Sequence, residues 1–441
     1  MLKKWLGGIL PKRKHPEPHL PVRHAIRFER LSRAAEKTLE GLHRAGFEAY
    51  IVGGAVRDML LGVKPKDFDI ATDATPEQVR ATFRRSRIIG RRFQIVHVMH
   101  GSETVEVSTF RSGGGVRHDE YGRIMRDNGY GTMEQDAVRR DFTCNALYYD
   151  ARRGEIIDYH HGTDDIRRAQ LVMIGNAAER YQEDPIRILR AARLAGKLGF
   201  TLNQTDADAI PAAAGLLKRE PVSRLFDEIM KILFSGHAES CLRQLHVSGI
   251  GTGIHPLLDA LLDTERQPEN HIAARTLRQT DERLRTGKTA SVGFVLAALL
   301  WPQLETLWQQ NTAAGQSPAA AVNSAIAELR DTLERGWGVP QRFSATMREI
   351  WQMQPQFAHR RGGRPFRLLA QPRFRAAYDF ILLRSHTDPQ AAELAEWWTH
   401  FLDADEDTRN EMVQSAPSDP ATPKKKRRRR PKKKNPPPQA A

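Results

Sequence analysis

Hydrophobic positions along the chain follow two different periods, and the change between them divides the sequence. Residues 31–47 place apolar side chains three and four residues apart, and Gly46 ends the pattern, which predicts a helix. Short β-rich runs follow, separated by glycines and charged turns: EAYIVGG, DFDIATD, RIIG, QIVHVMHG, TVEVSTFR and NALYYDARRGEIIDY. Because runs of this kind are typical of strands, they predict a small sheet in the first part of the chain.

From about Tyr181 the apolar positions recur at helical spacing and continue to do so. Residues 292–308 are strongly apolar, but Pro302 and charged flanks favour a buried helix pair over a membrane span. The Gly-rich residues 111–133 lack periodicity and predict a mobile surface loop. The pattern therefore predicts an α+β N-terminal region followed by an all-α region.

Charge is concentrated at the two ends of the 441 residues. The chain has 68 Lys and Arg against 53 Asp and Glu, a formal charge of +15. Residues 1–30 hold eight bases and two acids, residues 421–441 hold ten bases and no acid, and residues 31–420 are nearly neutral. Two basic arms on a neutral body predict a polyanionic partner, either nucleic acid or an acidic membrane surface.

The cysteine content and the N-terminus indicate the compartment. The two cysteines, Cys144 and Cys241, are too few for a disulfide framework or a Cys-rich zinc site, which favours a reducing compartment such as the cytoplasm. The N-terminal apolar run is too short for a signal sequence, and no spanning segment follows it. We therefore expect a soluble protein.

An aspartate pair lies downstream of a Gly-Gly turn in IVGGAVRDMLLGVKPKDFDIATD. A strand ends at this turn, a helix begins, and a second strand presents Asp67 and Asp69, whose i, i+2 spacing puts both on one face. Two buried carboxylates together are costly unless cations lie between them. The pair predicts two Mg²⁺ ions that support an in-line phosphoryl displacement. An exposed loop pair is the alternative, which the Gly-Gly turn and Arg57 disfavour.

Neighbouring residues supply further candidates for the same chemistry. Gly53 and Gly54 allow backbone N–H groups to approach a phosphate at a helix N-terminus, where Arg57 can clamp triphosphate oxygens. Glu106 lies in TVEVSTF between two valines that face the opposite side of the strand. We expect Glu106 to be a third metal ligand, the alternative being an outward-facing strand residue.

Five motifs occur in order over about residues 31–235: GGAVRD, DFDIATD, VEVSTFR, RRDFTCNALYYD and EDPIRILRAARLAGKLGF. Together they resemble the class II nucleotidyltransferases, the family of bacterial poly(A) polymerases and CCA-adding tRNA nucleotidyltransferases. The resemblance implies a polymerase-beta-like α+β head, then an all-α neck, body and tail. It also implies nucleotide addition to RNA 3′ ends in a bacterial cytoplasm, with Asp67 and Asp69 as the metal-binding pair.

The resemblance and the composition together predict five regions. They are a disordered basic arm at 1–30, the catalytic head at 31–165, a helical neck for base recognition at 166–236, a helical body with RNA-binding function at 237–402, and a disordered basic arm at 403–441.

More site residues follow from the resemblance. Arg140 and Asp141 of RRDFT resemble the pair that contacts the incoming nucleotide, with Asp141 at its ribose. Asp184 and Arg187 of EDPIR resemble the base readers. Their i, i+3 spacing on a helix would let them share a face toward a Watson–Crick edge, while a surface ion pair is the alternative. Two further arginines extend that face toward the phosphates: Arg190 and Arg193.

The base-reading motif does not decide the product, because an Arg and an Asp can pair with adenine or with cytosine. Three other stretches resemble the poly(A) branch: RDNGYGTMEQDAVRRDFTCNALYYD, PVSRLFDEIMKILFSG and SVGFVLAALLWPQLETLW. The C-terminal arm agrees, since an enzyme that extends arbitrary RNAs benefits from sequence-blind phosphate binding. We therefore expect AMP addition from ATP, with CCA addition as the alternative.

The expected partners are RNA 3′ ends, read with little sequence specificity, and RNA-decay proteins; the chain is expected to act as a monomer. The RNA-binding residues expected in the C-terminal arm are its ten bases: Lys424, Lys425, Lys426, Arg427, Arg428, Arg429, Arg430, Lys432, Lys433 and Lys434. A non-catalytic RNA-binding adaptor and a membrane-surface protein are alternatives of other classes; the intact carboxylates argue against the first. His118-Asp119 resembles a phosphohydrolase pair but has no partner histidines at suitable spacing.

Overall fold

The chain forms two compact units in the computed structural model, Met1–Ile254 and His255–Ala441. The residues that the structure describes are 21–26, 28, 31–90, 94–112, 117–118, 124–126, 129–266, 272–331 and 337–417.

The first unit contains an eight-stranded mixed sheet. Its strands, in the order in which they lie side by side, are β1 (Val22–Ala25), β10 (Glu155–Asp158), β9 (Leu147–Asp150), β2 (Ala49–Val52), β3 (Asp69–Thr72), β6 (Glu103–Thr109), β5 (Ile95–His100) and β4 (Ser86–Ile89). β3 and β6 run parallel, and the other neighbouring pairs are antiparallel. This arrangement confirms the sheet that the alternating runs predicted.

Two short strand pairs lie outside this sheet. They are β7 (Arg117–His118) with β8 (Ile124–Arg126), and β11 (Gln170–Leu171) with β12 (Thr201–Leu202). The first pair lies within residues 111–133, which the sequence predicted to be a mobile loop; the rest of residues 113–128 is outside the described part of the chain.

Helices cover the sheet and then continue alone through the rest of the first unit. They are α1 (Arg33–Arg44), α2 (Gly54–Leu60), α3 (Pro76–Thr82), α4 (Met133–Arg139), α5 (Gly162–Arg167), α6 (Ala177–Glu183), α7 (Ile186–Leu198), α8 (Gln204–Asp208), α9 (Ile210–Ala213), α10 (Val222–Leu233) and α11 (Ala238–Val247), with 3₁₀ turns at Thr143–Asn145 and Ala214–Arg219. Helix α1 begins where predicted, because the Ser32 side chain accepts a hydrogen bond from the Ala35 N–H at 3.1 Å.

Helix α7 carries residues of the site and packs closely against α11. A Cβ atom at Gly196 would lie 2.5 Å from Cys241 Cα, so only glycine allows the two helix backbones this approach. Most of α7 is buried, including Ile188 and Leu189. Its position is therefore fixed by packing on more than one face.

The second unit is helical throughout its described residues. Its helices are α12 (Pro256–Arg266), α13 (Ile272–Arg285), α14 (Val292–Leu299), α15 (Trp301–Ala313), α16 (Pro318–Asp331), α17 (Gln341–Met353), α18 (Arg364–Leu369), α19 (Phe374–Arg384), α20 (Pro389–Asp403) and α21 (Glu406–Ser415), with a 3₁₀ turn at Gln354–Ala358. Aromatic side chains form its core: Trp398 is fully buried, and its indole N–H donates to the Phe357 carbonyl at 3.0 Å.

The apolar residues 292–308 form a helix pair, as predicted. Pro302 stands in the first turn of α15, where its missing N–H costs no helical hydrogen bond. None of the helices in the described residues has the length and apolar character needed to cross a membrane.

The disordered arms predicted at 1–30 and 403–441 both include residues that form regular secondary structure. Residues 22–25, assigned to the N-terminal arm, form β1 because they pair with β10 at the edge of the sheet. Residues 406–415, assigned to the C-terminal arm, form α21 because Asp405 caps the helix and Val413 packs into the aromatic core. Residues 1–20 and 418–441, which hold most of both arms, lie outside the described residues.

Candidate active site

A cavity of about 460 Å³ in the first unit brings together eleven of the twelve site residues predicted outside the arms. Its charged lining consists of eight arginines and five acids: Arg57, Arg111, Arg139, Arg140, Arg180, Arg187, Arg190 and Arg193, with Asp69, Glu106, Asp136, Asp141 and Asp184. The excess of positive charge in this cavity suits a polyanionic ligand.

Two of the predicted metal ligands lie side by side on neighbouring strands. Asp69 is the first residue of β3, and it stands in register with Glu106 of β6. Val105 and Val107 are buried on the other face of β6, as the alternation predicted, so Glu106 faces the cavity. The adjacent carboxylates follow directly from this strand pairing.

Asp67 is placed differently from the prediction that both aspartates share a strand. It lies in the bend before β3, because pairing with β2 begins only at Asp69, opposite Val52. Asp67 is exposed and is absent from the cavity lining. Its charge nevertheless acts on Asp69, since it contributes to the raised pKa of that group.

The pKa of Asp69 is raised to about 6. The causes are the protein atoms crowded around the carboxyl, then the negative charge of Glu106, partly offset by Arg140, and last Asp67. Solvent still reaches the Asp69 side chain at the cavity mouth. Converging negative charge of this kind is relieved by a bound cation.

The carboxylate chemistry fits a hard divalent cation such as Mg²⁺. In the part of the chain that the structure describes, however, no three His, Cys, Asp or Glu side chains converge closely enough to hold an ion as they stand. Glu106 Oε1 lies 3.2 Å from His97 Nε2, so this carboxylate is engaged by a side chain of β5. Asp69 and Glu106 together form the core of the candidate metal site.

The Gly-Gly turn forms one wall of the cavity. Gly53 has φ 75° and ψ −135°, a conformation that favours glycine, and it precedes the first turn of α2. Its N–H donates to the Leu147 carbonyl at 3.4 Å. A Cβ atom here would lie 3.7 Å from Arg140 Nη1 and 4.0 Å from Asp69 Oδ2, so the glycine leaves open the space between these two side chains.

Arg57, predicted to clamp the triphosphate, is buried and already held by the protein. Its guanidinium donates to Asp58 Oδ1 at 2.6 and 2.9 Å and to Asn145 Oδ1 at 2.6 Å. Gly54 lies beside it, and a Cβ there would be 3.4 Å from Arg57 Nη2. Arg57 thus lines the cavity in a fixed orientation.

Arg140 is held by two residues that the sequence reasoning did not identify. It donates to Asp136 Oδ2 at 2.9 and 3.2 Å and to the Tyr148 hydroxyl at 3.0 Å, and Tyr148 itself donates to Asp136 Oδ2 at 2.6 Å. Burial disfavours the cation, but Tyr148 and Asp136 more than offset it, so the pKa of Arg140 is raised. Arg140 is therefore charged at neutral pH.

Asp141, predicted to contact the ribose, is also fixed from several sides. It accepts hydrogen bonds from the Phe142 N–H at 2.8 Å, from Asn145 Nδ2 at 3.2 Å and from Arg190 Nη1 at 3.0 Å. Burial opposes ionisation, but these donors, Arg190 foremost, lower the pKa of Asp141. The negative charge of Asp141 in turn raises the pKa of Arg190. Asp141 is therefore an ionised acceptor at neutral pH.

Asp184 and Arg187 both line the cavity. The prediction that they lie on the same helix is wrong. Asp184 ends α6 and precedes Pro185, whose ring stops the helix from continuing, so only Arg187 lies in α7. Asp184 accepts from Arg224 Nη2 at 3.0 and 3.1 Å, and Arg187 donates to the Arg180 carbonyl at 2.8 Å. The two side chains are held by different partners, which also makes the alternative of a mutual ion pair wrong.

Arg193 is anchored through an acid of α10. Its Nε donates to Glu228 Oε1 at 2.6 Å, and Glu228 also lies 4.0 Å from Arg190. Burial raises the pKa of Glu228, but Arg193 and Arg190 more than offset this and leave it lowered. One buried carboxylate thus positions the two arginines that were predicted to extend toward the phosphates.

Three arginines of the cavity lie close enough to repel one another. Burial, followed by the charges of Arg111 and Arg180, lowers the pKa of Arg139 to about 10. Burial also lowers the pKa of Arg111, and burial together with Arg187 lowers that of Arg180. Such mutual repulsion is relieved by a bound anion.

Some of the residues that sequence reasoning missed had a signal and others had none. Arg111 and Arg139 lie inside the quoted motifs VEVSTFR and RRDFT, so the motifs already contained them. Asp136 holds Arg140 at the i,i+4 spacing that helices favour, which is a local signal. Arg224 and Glu228 hold motif residues 40 and 35 positions away, and nothing in their local sequence indicates this. The ten predicted RNA-binding bases from Lys424 to Lys434 and the side chains of the discounted His118-Asp119 pair lie outside the described residues.

Profiles of three domains match this chain. They are the poly A polymerase head domain over residues 49–172, the probable RNA and SrmB-binding site of polymerase A over 199–262, and the polymerase A arginine-rich C-terminus over 314–434.

Individual proteins agree with these profiles. The chain is 38% identical to Poly(A) polymerase I of Salmonella typhi over 420 residues, which cover 92% of this chain and 90% of that protein. It is 34% identical to the CCA-adding enzyme of Lactobacillus delbrueckii subsp. bulgaricus over 251 residues, 56% of this chain and 63% of that protein. The crystal structure of the Bacillus stearothermophilus CCA-adding enzyme in complex with CTP is 26% identical and superposes with a TM-score of 0.54, covering 86% of this chain and 80% of that one.

Proposed function

The chain belongs to the poly(A) polymerase family, and from this premise we propose that the arginine-rich cavity of its first unit is the site where AMP is transferred from ATP to an RNA 3′ end. The enzyme is a nucleotidyltransferase that adds adenylate residues without a template. The observation that carries the assignment of the cavity is the convergence of paired carboxylates with eight arginines around one 460 Å³ space.

The arginine side of the cavity holds the triphosphate. Arg57, Arg190 and Arg193 are fixed by protein carboxylates and amides, so they offer their remaining donors in set directions. Arg139 and Arg180 lie in a cluster of cations, and burial, followed by the charges of neighbouring arginines, lowers the pKa of each. Triphosphate oxygens relieve the repulsion between these arginines, which favours binding.

Asp69 and Glu106, with Asp67 beside them, would hold two Mg²⁺ ions. Hard carboxylate oxygens suit this ion, and the pKa of Asp69 is raised by burial and then by the negative charge of Glu106, which a cation would neutralise. When bound, the ions lower the pKa of the attacking hydroxyl and stabilise charge on the leaving group.

The reaction is an in-line displacement at the α-phosphorus of ATP. The 3′ oxygen of RNA forms the new bond, the bond to the β-phosphate oxygen breaks, and pyrophosphate leaves with the electron pair. Asp141 accepts from the ribose, and Arg140, kept charged by Asp136, lies across Gly53 from Asp69. Fixed groups of this kind position both reactants before the displacement.

Asp184 and Arg187 read the base. Arg224 holds Asp184 and the Arg180 carbonyl holds Arg187, so the acceptor and the donors are separately oriented in the same cavity. Their separate anchoring makes the choice of base a property of both helices, α7 and α10. We also propose that the enzyme acts in the cytoplasm, as its two buried cysteines, neither of which is in a disulfide, favour.

The product with each nucleotide tests this assignment. Full-length protein with Mg²⁺ is given ATP, CTP, GTP or UTP separately, on an unstructured RNA and on a tRNA that lacks its CCA end. ATP alone should extend the unstructured RNA by many residues. Addition that requires CTP, is confined to tRNA and stops after CCA would instead assign the cavity to CCA synthesis.

A further inference from the structure

A second charged cavity lies in the second unit, between α16 and α17. It has a volume of about 610 Å³, and its lining includes three arginines and no acid: Arg330, Arg342 and Arg348. Amide side chains of Asn323, Gln341 and Gln352 complete its polar surface. We call this cavity the α16–α17 groove.

Within the described ranges, the guanidinium groups of Arg330, Arg342 and Arg348 make no hydrogen bond or ion pair with an acid. Two described acids near them in sequence are engaged elsewhere: Glu349 accepts from Arg373 at 3.0 Å, and Glu328 accepts from Asn311 at 2.9 Å. All three arginines are exposed, so their charge is available to a ligand.

The groove is nevertheless shaped before any ligand binds. Gln352 Nε2 donates to Asn323 Oδ1 at 2.8 Å and links the two helices. The Arg342 guanidinium lies 4.7 Å from the centroid of the Phe343 ring, a cation–π contact that restricts the side chain. Restricted donors lose less entropy when they bind an anion.

We propose that the α16–α17 groove binds the phosphodiester backbone of the single-stranded RNA substrate, at nucleotides upstream of the 3′ end. Arginines without acids suit phosphates, and the amides can donate to phosphate or ribose oxygens without reading a base. The proposal rests on the polyadenylation activity and adds a contact outside residues 199–262, where the RNA-binding profile matches. The groove lies in the arginine-rich region, residues 314–434, and it gives a specific contact surface within the helical body that the resemblance implied to bind RNA.

The test compares two double variants of the full-length protein. Arg342→Ala/Arg348→Ala removes two groove arginines. Arg373→Ala/Arg375→Ala removes the same charge from arginines of the same unit that are paired with Glu349 and Asp379. The dissociation constant of a labelled unstructured RNA is measured from low to high salt, together with the KM for ATP and the rate at saturating RNA.

The groove variant should bind RNA roughly tenfold more weakly at low salt. Its salt slope should flatten by about 1.4, because each single-strand phosphate contact contributes about 0.7. The KM for ATP, the rate at saturating RNA and the thermal midpoint should stay as in the wild type. The control variant should keep most of the affinity and slope.

Equal losses in the two variants would overturn the proposal, since overall charge alone would then explain them. Unchanged RNA affinity in the groove variant would also overturn it, and lost binding of an acidic peptide in the same variant would assign the groove to a protein partner. AMP addition by the wild type is measured in parallel. If the wild type adds AMP while the groove variant gives either contradicting result, the groove proposal fails and the polymerase assignment stands.

Discussion

The molecule uses arginine in two opposite ways. In the cavity of the first unit, Arg140, Arg190 and Arg193 are bound to Asp136, Asp141 and Glu228. In the α16–α17 groove of the second unit, the arginines are exposed and no described acid engages them. Arg140 pairs with an acid four residues away, whereas Arg190 and Arg193 pair with acids that are distant in the chain.

The difference shows what each region can bind. Paired arginines are fixed before a ligand arrives, which suits a small nucleotide whose reacting atoms must be positioned closely. Exposed arginines adapt to an irregular polyanion and are screened by salt. If the two roles are separate, substitutions in the cavity should lower turnover at saturating substrates more than changes in the groove or in the C-terminal arm.

Removing a metal ligand should have the largest effect. Asp69→Ala, and likewise Asp67→Ala, should lower AMP addition by at least about 1000-fold, because the carboxylates that remain would not hold both ions at the reacting phosphate. RNA affinity, measured by filter binding, should stay within about twofold of the wild type.

A matched control is Asp208→Ala, which removes an exposed aspartate paired only with Gln204 in the described residues. It should leave activity intact. Substantial activity in Asp69→Ala would remove the two-metal assignment.

Removing the ribose acceptor should have the next largest effect. Asp141→Ala leaves Arg190 without its partner and should lower kcat/KM for ATP by about 100-fold, since both positioning and charge are lost. Steady-state kinetics with varied ATP measures this. If kcat/KM falls as much for dATP as for ATP in the variant, Asp141 does not act through the ribose 2′-hydroxyl group, which dATP lacks.

Changes at the base readers should act mainly on nucleotide choice. Asp184→Ala or Arg187→Ala should reduce the preference for ATP over CTP by about tenfold, with a smaller effect on turnover. Arg224→Ala should follow Asp184→Ala, because Arg224 orients that carboxylate. Unchanged preference in all three variants would leave these residues with a role in holding α7 and α10 only.

Deleting residues 423–441 should have the smallest effect on turnover. The segment has ten bases and no acid. With about half of them on phosphates, the salt slope of RNA binding should flatten by about 3.5. Turnover at saturating RNA and the KM for ATP should stay unchanged. Equal salt slopes with and without the arm would indicate that it serves another purpose, such as solubility.

The sequence predicts the parts of the fold that local patterns encode. The alternation in TVEVSTF predicted β6 and the position of Glu106 on the face opposite Val105 and Val107. It could not predict β1, because residues 22–25 become a strand only by pairing with residues 155–158, more than a hundred positions away. Asp67 lies outside the predicted strand for a similar reason, because the pairing of β3 with β2 begins at Asp69.

In the candidate active site, too, local motifs were predictable and contacts between distant residues were not. The motifs place eleven predicted residues around one cavity, but the groups that orient them come from elsewhere in the chain. Glu228 reaches Arg193 across 35 positions and Arg224 reaches Asp184 across 40, with no local pattern to indicate either contact. The α16–α17 groove was not predicted at all, because it arises from the packing of two helices.

The most direct test measures two quantities in three full-length proteins: the rate of AMP addition at saturating RNA and ATP, and the dissociation constant of the RNA. The proteins are the wild type, Asp69→Ala and Arg342→Ala/Arg348→Ala. We expect the rate to be lost only in Asp69→Ala and the RNA affinity to fall only in the groove variant. A fall of both quantities together in either variant would contradict the separation of chemistry from RNA holding.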